Sequence, residues 1–328
     1  MKTTGFSFPA SLRFLFLSAL LVCVFGQACS IRFGPVLDSL DEKVISGEGP
    51  NKVLLLEIQG FISNISKKSL FGQKLEVGMV EKVREVLALA ENDPDIKALW
   101  IKINSPGGTV TSSDIIHHEI KMFKQRRKVK VYASVMDLAA SGGYYIAVAA
   151  DKIIAHPTSL VGSIGVIAVK LNAEQLMGKI GLKWEVIKSG DKKDFLSPFR
   201  ALISEERLLF QETIDGFHRR FVHVIAESRP ELDLDAVGQL ADGRIYSAKQ
   251  ALELKLIDKV AYMDETEELI KQDLGVSKLK IVIYHRPGQY KNNVYSSLPV
   301  NPTINLINLN FDFFPKSSGP AFMYYWMP

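Results

Sequence analysis

The chain has 328 residues, a length that fits one large domain or two modest ones. Hydrophobic residues make up 47% and charged residues 23%, which excludes a disordered, collagen-like or multi-span membrane protein. The net charge of +4 is too small and too widely spread to predict nucleic acid as the main partner. Both cysteines, Cys23 and Cys29, lie near the start, so a disulfide, a cysteine zinc site and a cysteine nucleophile are excluded from the rest of the chain.

Residues 1–30 have the layout of an export signal. Lys2 and Arg13 precede an uncharged stretch, residues 14–31, whose length is marginal for a ~30 Å hydrocarbon core. Three outcomes stay open: a retained signal anchor, cleavage after Ala28, or lipidation of Cys29 as the first residue of a lipoprotein. Each of the three places the rest of the chain on the exported side of a membrane.

From residue 52 onward, strands and helices are predicted to alternate. Val53 to Ile58 is an apolar run of strand length, and the amphipathic helix after it ends at Asp93-Pro94. Ile96 to Ile103 predicts a buried strand, and residues 104–108 a tight turn. Ser112 or Ser113 is expected to cap the next helix.

The same order then repeats. Val129 to Val135 predicts a strand, residues 136–140 a turn, and Ser141 to Ala150 a helix of small residues. Strand-like segments follow at Lys152 to Ala155 and Val161 to Val169. This repetition favours an α/β fold.

The second half is expected to be more helical. Helices are predicted at 172–180, at 204–227 and after Ser247, with a strand-like segment at Trp184 to Lys188. We therefore expect a linker at 31–51, a folded domain at 52–285, and an extended tail at 286–328 that ends in aromatic residues.

Metal and nucleotide motifs are absent from the sequence. The six histidines form no His-Glu-x-x-His pattern, and neither a Gly-x-Gly-x-x-Gly turn nor a phosphate loop is present.

Two glycine-rich turns are more informative. Residues 104–110 leave a strand and enter a helix, where backbone amides can point at a ligand. Ser141 opens a helix between very small neighbours, as a nucleophile does in Gly-x-Ser-x-Gly. Its alternative role is a simple helix cap.

A nucleophilic serine needs a base, and the histidines are poorly placed for that role. A lysine can accept the hydroxyl proton when burial lowers its pKa by several units. The segment 188–199 offers Lys192 and Lys193 in a turn after a predicted strand.

Four ordered motifs carry a family resemblance. They are Ser-Pro-Gly-Gly at 105–108, Ala-Ser-Gly-Gly-Tyr-Tyr at 140–145, Val-Gly-Ser-Ile-Gly-Val at 161–166 and Ser-Gly-x-x-Lys at 189–193. Together they resemble the short form of signal peptide peptidase A, in the Clp protease and crotonase superfamily, over about residues 52–273. The resemblance implies repeated ββα units in a single domain with a long helical C-terminal part.

The resemblance also implies a Ser-Lys serine peptidase that needs no cofactor. Carried over by position, it makes Ser141 the nucleophile and Lys193 the general base. It makes Ser163 the residue that orients the lysine, and the amides of Gly108 and Gly142 the oxyanion hole.

The implied partners are cleaved signal peptides and other apolar peptides, with no nucleic acid. The implied assembly is a homo-oligomeric ring, commonly an octamer, in which neighbouring protomers contribute the serine and the lysine of each active site. Ser141 and Lys193 would then lie far apart within one subunit. The implied location is a bacterial cell membrane, with the catalytic domain on the periplasmic or extracellular side.

Two other functions stay open at this point. One is a membrane scaffold that keeps the ring-forming fold and has lost activity, which the intact Ser141 and Lys193 disfavour. The other is a crotonase-like acyl-CoA enzyme, which would need acidic residues at the turns that here carry Ser141, Gly142 and Gly143.

Overall fold

The computed structural model describes residues 39–68, 74–287, 291–296 and 322–327. The predicted export segment, with Cys29, lies outside these residues. Within the described ranges, no helix combines the length and the apolar character needed to cross a membrane.

The strands are β1 (Asp41–Gly47), β2 (Lys52–Gln59), β3 (Lys67–Lys68), β4 (Lys74–Glu76), β5 (Ile96–Ser105), β6 (Gly107–Thr109), β7 (Lys130–Ala140), β8 (Lys152–Ala155), β9 (Leu160–Gly162), β10 (Ile167–Ala168), β11 (Ile245–Ser247), β12 (Lys259–Val260), β13 (Lys280–His285) and β14 (Phe322–Tyr325). The helices are α1 (Met79–Glu91), α2 (Val110–Arg127), α3 (Gly142–Ala147), α4 (Glu174–Lys179), α5 (Ser204–Ser228), α6 (Leu234–Leu240), α7 (Ala248–Glu253) and α8 (Met263–Leu274).

The main sheet has the order β1-β13-β2-β5-β7-β8-β12, and β9 branches from β7 to pair with β11. Neighbours from β13 to β12 run parallel, whereas β1 and β11 pair antiparallel with β13 and β9. In β2, the successive residues Val53 to Leu56 are all buried. Burial of consecutive residues means that both faces of the sheet are covered, as expected for parallel strands.

Helices cover the two faces of the sheet in separate layers. On one face, Val83 of α1 and Ile120 of α2 pack with Leu99 of β5 in the larger hydrophobic cluster, which also takes in α3. On the other face, Met263 and Ile270 of α8 pack with residues of β5 and β7. The carboxyl ends of β2, β5 and β7 therefore meet at one edge of the sheet, where an α/β fold usually binds its ligands.

The α/β prediction is confirmed, and so are several elements. Strands β2, β5 and β8 and helices α1 and α5 lie where the periodicity places them. Ser247 caps α7, as expected, because its hydroxyl accepts a hydrogen bond from the Gln250 amide.

Three other expectations are wrong, two of them because distant parts of the chain supply a partner. The predicted turn at 104–108 contains part of β6, which pairs with β14 and bridges to Ile62. The predicted turn at 136–140 is the end of β7, which continues because β9 pairs with it. Neither Ser112 nor Ser113 caps α2: the helix begins at Val110, and Thr109 is its cap.

Three further predicted segments also differ. The strand expected at 161–169 is split into β9 and β10, since Ser163 has a φ of 49° that interrupts an extended backbone. The segment Trp184 to Lys188 forms no strand. Residues Asp41–Gly47, inside the predicted linker, form β1 at the edge of the main sheet.

Residues 170–203 form what we call the arm. No residue between 165 and 205 is buried, so the arm has no hydrophobic core of its own. Its order comes from Arg200, whose guanidinium donates hydrogen bonds to the carboxylates of Asp194 and Glu206. The side chain of Glu206 is almost completely buried. The arm is therefore held by charge pairing and by aromatic contacts such as Trp184 with Phe199, rather than by a buried core.

Arg229 is expected to be important for stability. It is only 7% exposed, and its guanidinium donates two hydrogen bonds to the Asp258 carboxylate, at 2.8 and 3.0 Å, and a third to the Lys255 carbonyl at 2.9 Å. Arg229→Ala leaves these acceptors without their partner, so we expect a loss of about 2 kcal/mol in the free energy of unfolding, measured with urea. Lys249→Ala, an exposed helix position, is the control and should change this value by less than about 0.5 kcal/mol. Equal stability of the two variants would contradict the prediction.

Candidate active site

Ser141 lies between the end of β7 and the start of α3. Its backbone has φ 50° and ψ −113°, a strained conformation for a residue with a side chain. The turn is held because the Ser141 amide donates a 2.6 Å hydrogen bond to the Gly162 carbonyl, while the Ser141 carbonyl accepts one from Tyr145. Such a strand-to-helix turn presents the hydroxyl at the sheet edge, as in a nucleophile elbow.

Gly107 and Gly108 lie beside this turn, on β6. A Cβ atom at Gly108 would lie 2.0 Å from the Ile62 carbonyl oxygen, and one at Gly107 would lie 2.0 Å from the Tyr324 carbonyl oxygen. Only glycine fits at either position. Ser105 fixes the start of the turn, since its hydroxyl donates to the Gly60 carbonyl at 2.7 Å and accepts from the Gly107 amide at 3.1 Å.

The structure brings Gly108 and Gly142 together. A Cβ atom built on Gly142 would lie 3.1 Å from the Gly108 amide nitrogen and 2.4 Å from the Ser113 hydroxyl oxygen. The first residue of α3 is thus adjacent to the middle of β6. An amide from a glycine turn and one from the helix that follows Ser141 are a suitable pair of donors for an oxyanion.

A strand from the C-terminal tail occupies this region. Strand β14 lies between β6 and β10 and pairs antiparallel with both. Tyr324 stands opposite Gly108, and its carbonyl oxygen lies 3.1 Å from the Cβ position of Gly142. Ser141 is only 1% exposed beneath this cover.

Ser163 lies in the loop that flanks Ser141. Its amide donates a 2.7 Å hydrogen bond to the Arg244 carbonyl, and its side chain lines a cavity of about 430 Å³. The Ser141 hydroxyl makes a long contact, 3.4 Å, with the Gly165 carbonyl in the same loop. The cavity walls include Asp215, Asp242 and Trp326, so the space beside Ser163 is partly polar and partly aromatic.

The structure does not place Lys193 beside Ser141. It lies exposed on the arm, and its ammonium group has no hydrogen-bond or ion-pair partner in the chain as described. Lys192, beside it, pairs with Glu205 at 2.6 Å. The structure therefore joins Ser141, Gly108, Gly142 and Ser163 in one region and leaves the predicted base outside it.

A polar cluster lies under α3, and the sequence did not predict it. The Tyr145 hydroxyl donates to the Asp114 carboxylate at 2.5 Å, and Arg220 pairs with the same carboxylate at 2.6 Å. His117 packs edge-on against the Tyr145 ring, and its Nε2 atom has no hydrogen-bond partner. These residues come from three helices, so spacing along the sequence gives no sign of the cluster. Nowhere in the described ranges do three or more His, Cys, Asp or Glu side chains form a possible metal site.

Comparison with known proteins assigns the family. The model of peptidase family S49 matches residues 123–277, which include Ser141, Ser163 and Lys193, and the model of Clp protease matches residues 60–161. The putative signal peptide peptidase SppA of Enterococcus faecium is 33% identical over 244 residues, covering 74% of this chain and 70% of that protein. The chain belongs to peptidase family S49. It is a serine peptidase with a Clp protease-like α/β fold.

Two more relatives agree with this assignment. A putative protease of Synechocystis is 38% identical to this S49 peptidase over 230 residues, covering 70% of this chain and 77% of that protein. The chloroplastic serine protease SPPA of Arabidopsis thaliana is 33% identical over 224 residues, covering 67% of this chain and 32% of that protein. The family assignment decides against a crotonase-like acyl-CoA enzyme.

His117 should make the stability of this S49 peptidase depend on pH. Burial lowers the pKa of His117 to about 4, and Lys121 adds to the effect. Because the unfolded chain binds a proton near pH 6.5 and the folded chain does not, stability falls as the pH decreases from about 6.5 toward 4. Between pH 7 and pH 5, this residue should account for a loss of about 2 kcal/mol.

The measurement is urea denaturation of wild type and of His117→Leu at both pH values. The leucine variant should lose about 2 kcal/mol less than wild type between pH 7 and pH 5. Equal losses in the two proteins would mean that His117 does not titrate as described.

Proposed function

We propose that this S49 peptidase is a membrane-attached endopeptidase that uses a Ser141 and Lys193 dyad to digest remnant signal peptides after preprotein processing. The observation that carries the proposal is the strained turn at Ser141, which sets a serine hydroxyl beside the adjacent backbone of Gly108 and Gly142. A strained nucleophile with two nearby amide donors is suited to acyl transfer.

The proposed reaction has two stages. Lys193, in its uncharged form, takes the hydroxyl proton as the Ser141 oxygen attacks the scissile carbonyl, and the amides of Gly108 and Gly142 stabilise the oxyanion. The C–N bond then breaks, and Lys193 gives the proton to the leaving amine. Water attacks the remaining ester with Lys193 as the base, which releases the acid product and restores the serine hydroxyl.

Lys193 would reach Ser141 from a neighbouring protomer. Its exposed position on the arm supports this arrangement. The surface around it also supports an assembly, since more than half of the exposed large apolar side chains among the described residues lie between 171 and 209. Ile187 is fully exposed and Trp184 is 55% exposed. Exposed apolar side chains gathered in one segment are typical of a subunit interface. We propose a homo-oligomeric ring, which is commonly an octamer in the family that the four motifs resemble. In this ring, Ser163 orients the lysine that comes from the neighbouring protomer.

Two observations support apolar peptides as substrates. Strand β14, with the sequence Phe-Met-Tyr-Tyr, lies extended between β6 and β10 beside Ser141, which supports a cleft for extended apolar segments. The relative from Enterococcus faecium is named a putative signal peptide peptidase. Remnant signal peptides are apolar and stay in the membrane, which fits the uncharged segment at residues 14–31. Whether as a helix or through a lipid on Cys29, this segment would hold the domain at a bacterial cell membrane on the exported side.

The dyad is tested by single substitutions. We expect Ser141→Ala and Lys193→Ala each to lower kcat/KM for an apolar reporter peptide by a factor of about 10³ or more, because the nucleophile or its base is lost. Lys192→Ala is a matched control, since it removes a neighbouring lysine whose ion pair is on the surface, and it should stay within about twofold of wild type. Unchanged activity in Lys193→Ala would overturn the dyad.

A mixing experiment tests the shared site. Ser141→Ala and Lys193→Ala proteins are unfolded together, allowed to reassemble, and assayed with the same peptide. If each site combines Ser141 of one protomer with Lys193 of the next, mixed rings contain some intact sites and regain activity. Each variant reassembled alone is the control. Mixed rings that form, as judged by differently tagged chains, and stay inactive would place both residues in one chain.

A further inference from the structure

We propose that Arg200 is a positioning residue for the base of the reaction: it engages the Asp194 carboxylate and so keeps that carboxylate from pairing with Lys193. This inference rests on the proposed function of Lys193 as the base, and deepens it by naming what leaves the lysine free to lose its proton. The observation that carries it is the set of two-point contacts that the Arg200 guanidinium makes with Asp194 and Glu206.

Asp194 follows Lys193 in the chain, and both of its carboxylate oxygens are occupied. Arg200 donates from Nε to Oδ2 and from Nη2 to Oδ1, each at 2.9 Å. Lys188 donates to Oδ1 at 2.7 Å. A two-point contact between a guanidinium and a carboxylate fixes the orientation of both groups. The Asp194 carboxylate is therefore committed to Arg200 and Lys188, and none of the ion pairs described in the arm includes Lys193.

Arg200 is itself held by the helix that follows the arm. Its Nη1 and Nη2 atoms donate to the Glu206 carboxylate at 2.8 and 2.6 Å. Glu206 lies in the first turn of α5, and the same helix is buried in the main hydrophobic cluster at Phe221. A continuous set of contacts thus runs from the core of the domain through Glu206, Arg200 and Asp194 to the turn that carries Lys193.

The turn keeps Lys193 and Asp194 side by side. The Lys193 amide donates a 3.0 Å hydrogen bond to the Gly190 carbonyl, and the Ser197 amide donates a 2.9 Å hydrogen bond to the Asp194 carbonyl. The backbone is thus fixed on both sides of the pair, and the Cα atoms of neighbouring residues are about 3.8 Å apart. Without Arg200, the Asp194 carboxylate would be within reach of the Lys193 ammonium group.

A released carboxylate beside Lys193 would oppose its role as a base. A carboxylate within about 4–6 Å of a lysine favours the protonated form, which cannot accept the serine proton. In the structure, the cations Arg200 and Lys188 balance the carboxylates of Asp194 and Glu206. Hydrogen bonds from Arg200 and Lys188 lower the pKa of Asp194, so this carboxylate is ionised at neutral pH. Loss of Arg200 leaves one cation for two carboxylates and makes Asp194 available to Lys193.

Other charged groups surround this network, and the test variants leave all of them in place. Lys192 pairs with Glu205 at 2.6 Å, and Lys170 donates a hydrogen bond to the Arg200 carbonyl. The groups are Lys170, Glu174, Asp191, Lys192 and Glu205 around the arm, with Asp215, His218 and Asp242 in the cavity that a neighbouring protomer would present. Because wild type and variants share these groups, a difference between the proteins reports on Arg200 and Asp194.

The first test is the pH dependence of kcat/KM for the apolar reporter peptide in the full chain with Arg200→Gln. On the acid side, activity should reach half of its maximum about 1 pH unit higher than in wild type, because the released carboxylate keeps Lys193 protonated. Arg200→Lys keeps the positive charge and should remove at least about half of this shift. Arg84→Gln removes an exposed arginine on α1 and is the control, with a change below about 0.2 pH unit. An unchanged midpoint in Arg200→Gln would overturn the proposal.

A second substitution separates the effect of the carboxylate from a general loosening of the arm. The double variant Arg200→Gln with Asp194→Asn lacks both the arginine and the carboxylate that it engages. Its acid-side midpoint should return to within about 0.3 pH unit of wild type, because no released carboxylate remains beside Lys193. The midpoint is a property of the active molecules, so it can be measured even if part of the protein is unfolded. A double variant that keeps the full shift of Arg200→Gln would mean that Asp194 does not act on Lys193.

Lysine labelling tests the same contact without turnover. The full chain with Ser141→Ala, with and without Arg200→Gln, is treated with acetic anhydride at a series of pH values, and mass spectrometry measures acetylation at each lysine. Only an uncharged amine reacts, so half-maximal labelling of Lys193 should occur about 1 pH unit higher with Arg200→Gln. Lys192 is the internal control, because its ion pair with Glu205 does not involve Arg200, and it should change by less than about 0.3 pH unit.

The labelling result separates this proposal from the proposed function. If labelling of Lys193 shifts while Lys193→Ala keeps full activity, Arg200 still governs the charge of Lys193 and the dyad alone fails. Equal labelling of Lys193 in the two chains rejects the role of Arg200, whatever the activity.

Discussion

The arrangement of the site depends on one constraint: β7 must end and α3 must begin within a single residue, Ser141. The positive φ of that residue is an unfavourable conformation, and it is compensated by the hydrogen bonds of its amide and carbonyl to Gly162 and Tyr145. Because the chain turns so abruptly at Ser141, Gly142 comes close to Gly108 and Ser113. This leaves no room for a side chain at Gly142. The positions of the Ser141 hydroxyl, the two glycine amides and the flanking loop thus all depend on one turn.

Locally encoded parts of the site could be predicted from the sequence. The small residues around Ser141 and the glycines at 107 and 108 indicate close backbone approach, and the structure has it at these positions. The parts that were missed depend on contacts across the chain. Strand β14 pairs with β6 more than 200 residues away, and the short run Phe322 to Tyr325 has no periodicity that would name its partner. The cluster of Asp114, Tyr145 and Arg220 joins three helices in the same way.

The arm is stabilised by different interactions from the body of the molecule, the part that contains the main sheet and its helices. In the body, buried aliphatic side chains cover both faces of a parallel sheet, whereas the arm is organised around Arg200. Hydrogen bonds from Arg200 and Lys188 hold the pKa of Asp194 well below its usual range, so this carboxylate stays ionised and paired at ordinary pH. An arm ordered by ion pairs can leave its apolar side chains free for another surface. The pattern of apolar residues in the arm therefore does not reflect packing onto a core. For this reason it wrongly predicts a strand at Trp184 to Lys188.

The gap that β14 fills has a geometric consequence of its own. It lies between β6 and β10 and has the width of a single strand, with hydrogen-bonding groups on both sides. Neighbouring strands lie about 4.8 Å apart, so a chain must be fully extended, and free of partners on both edges, to enter. A helix is about 10 Å across and a folded domain is wider still, so neither fits. Under the proposed function, a substrate that takes the place of β14 would have to be extended: a helical peptide would first have to unfold, and a folded protein would not enter.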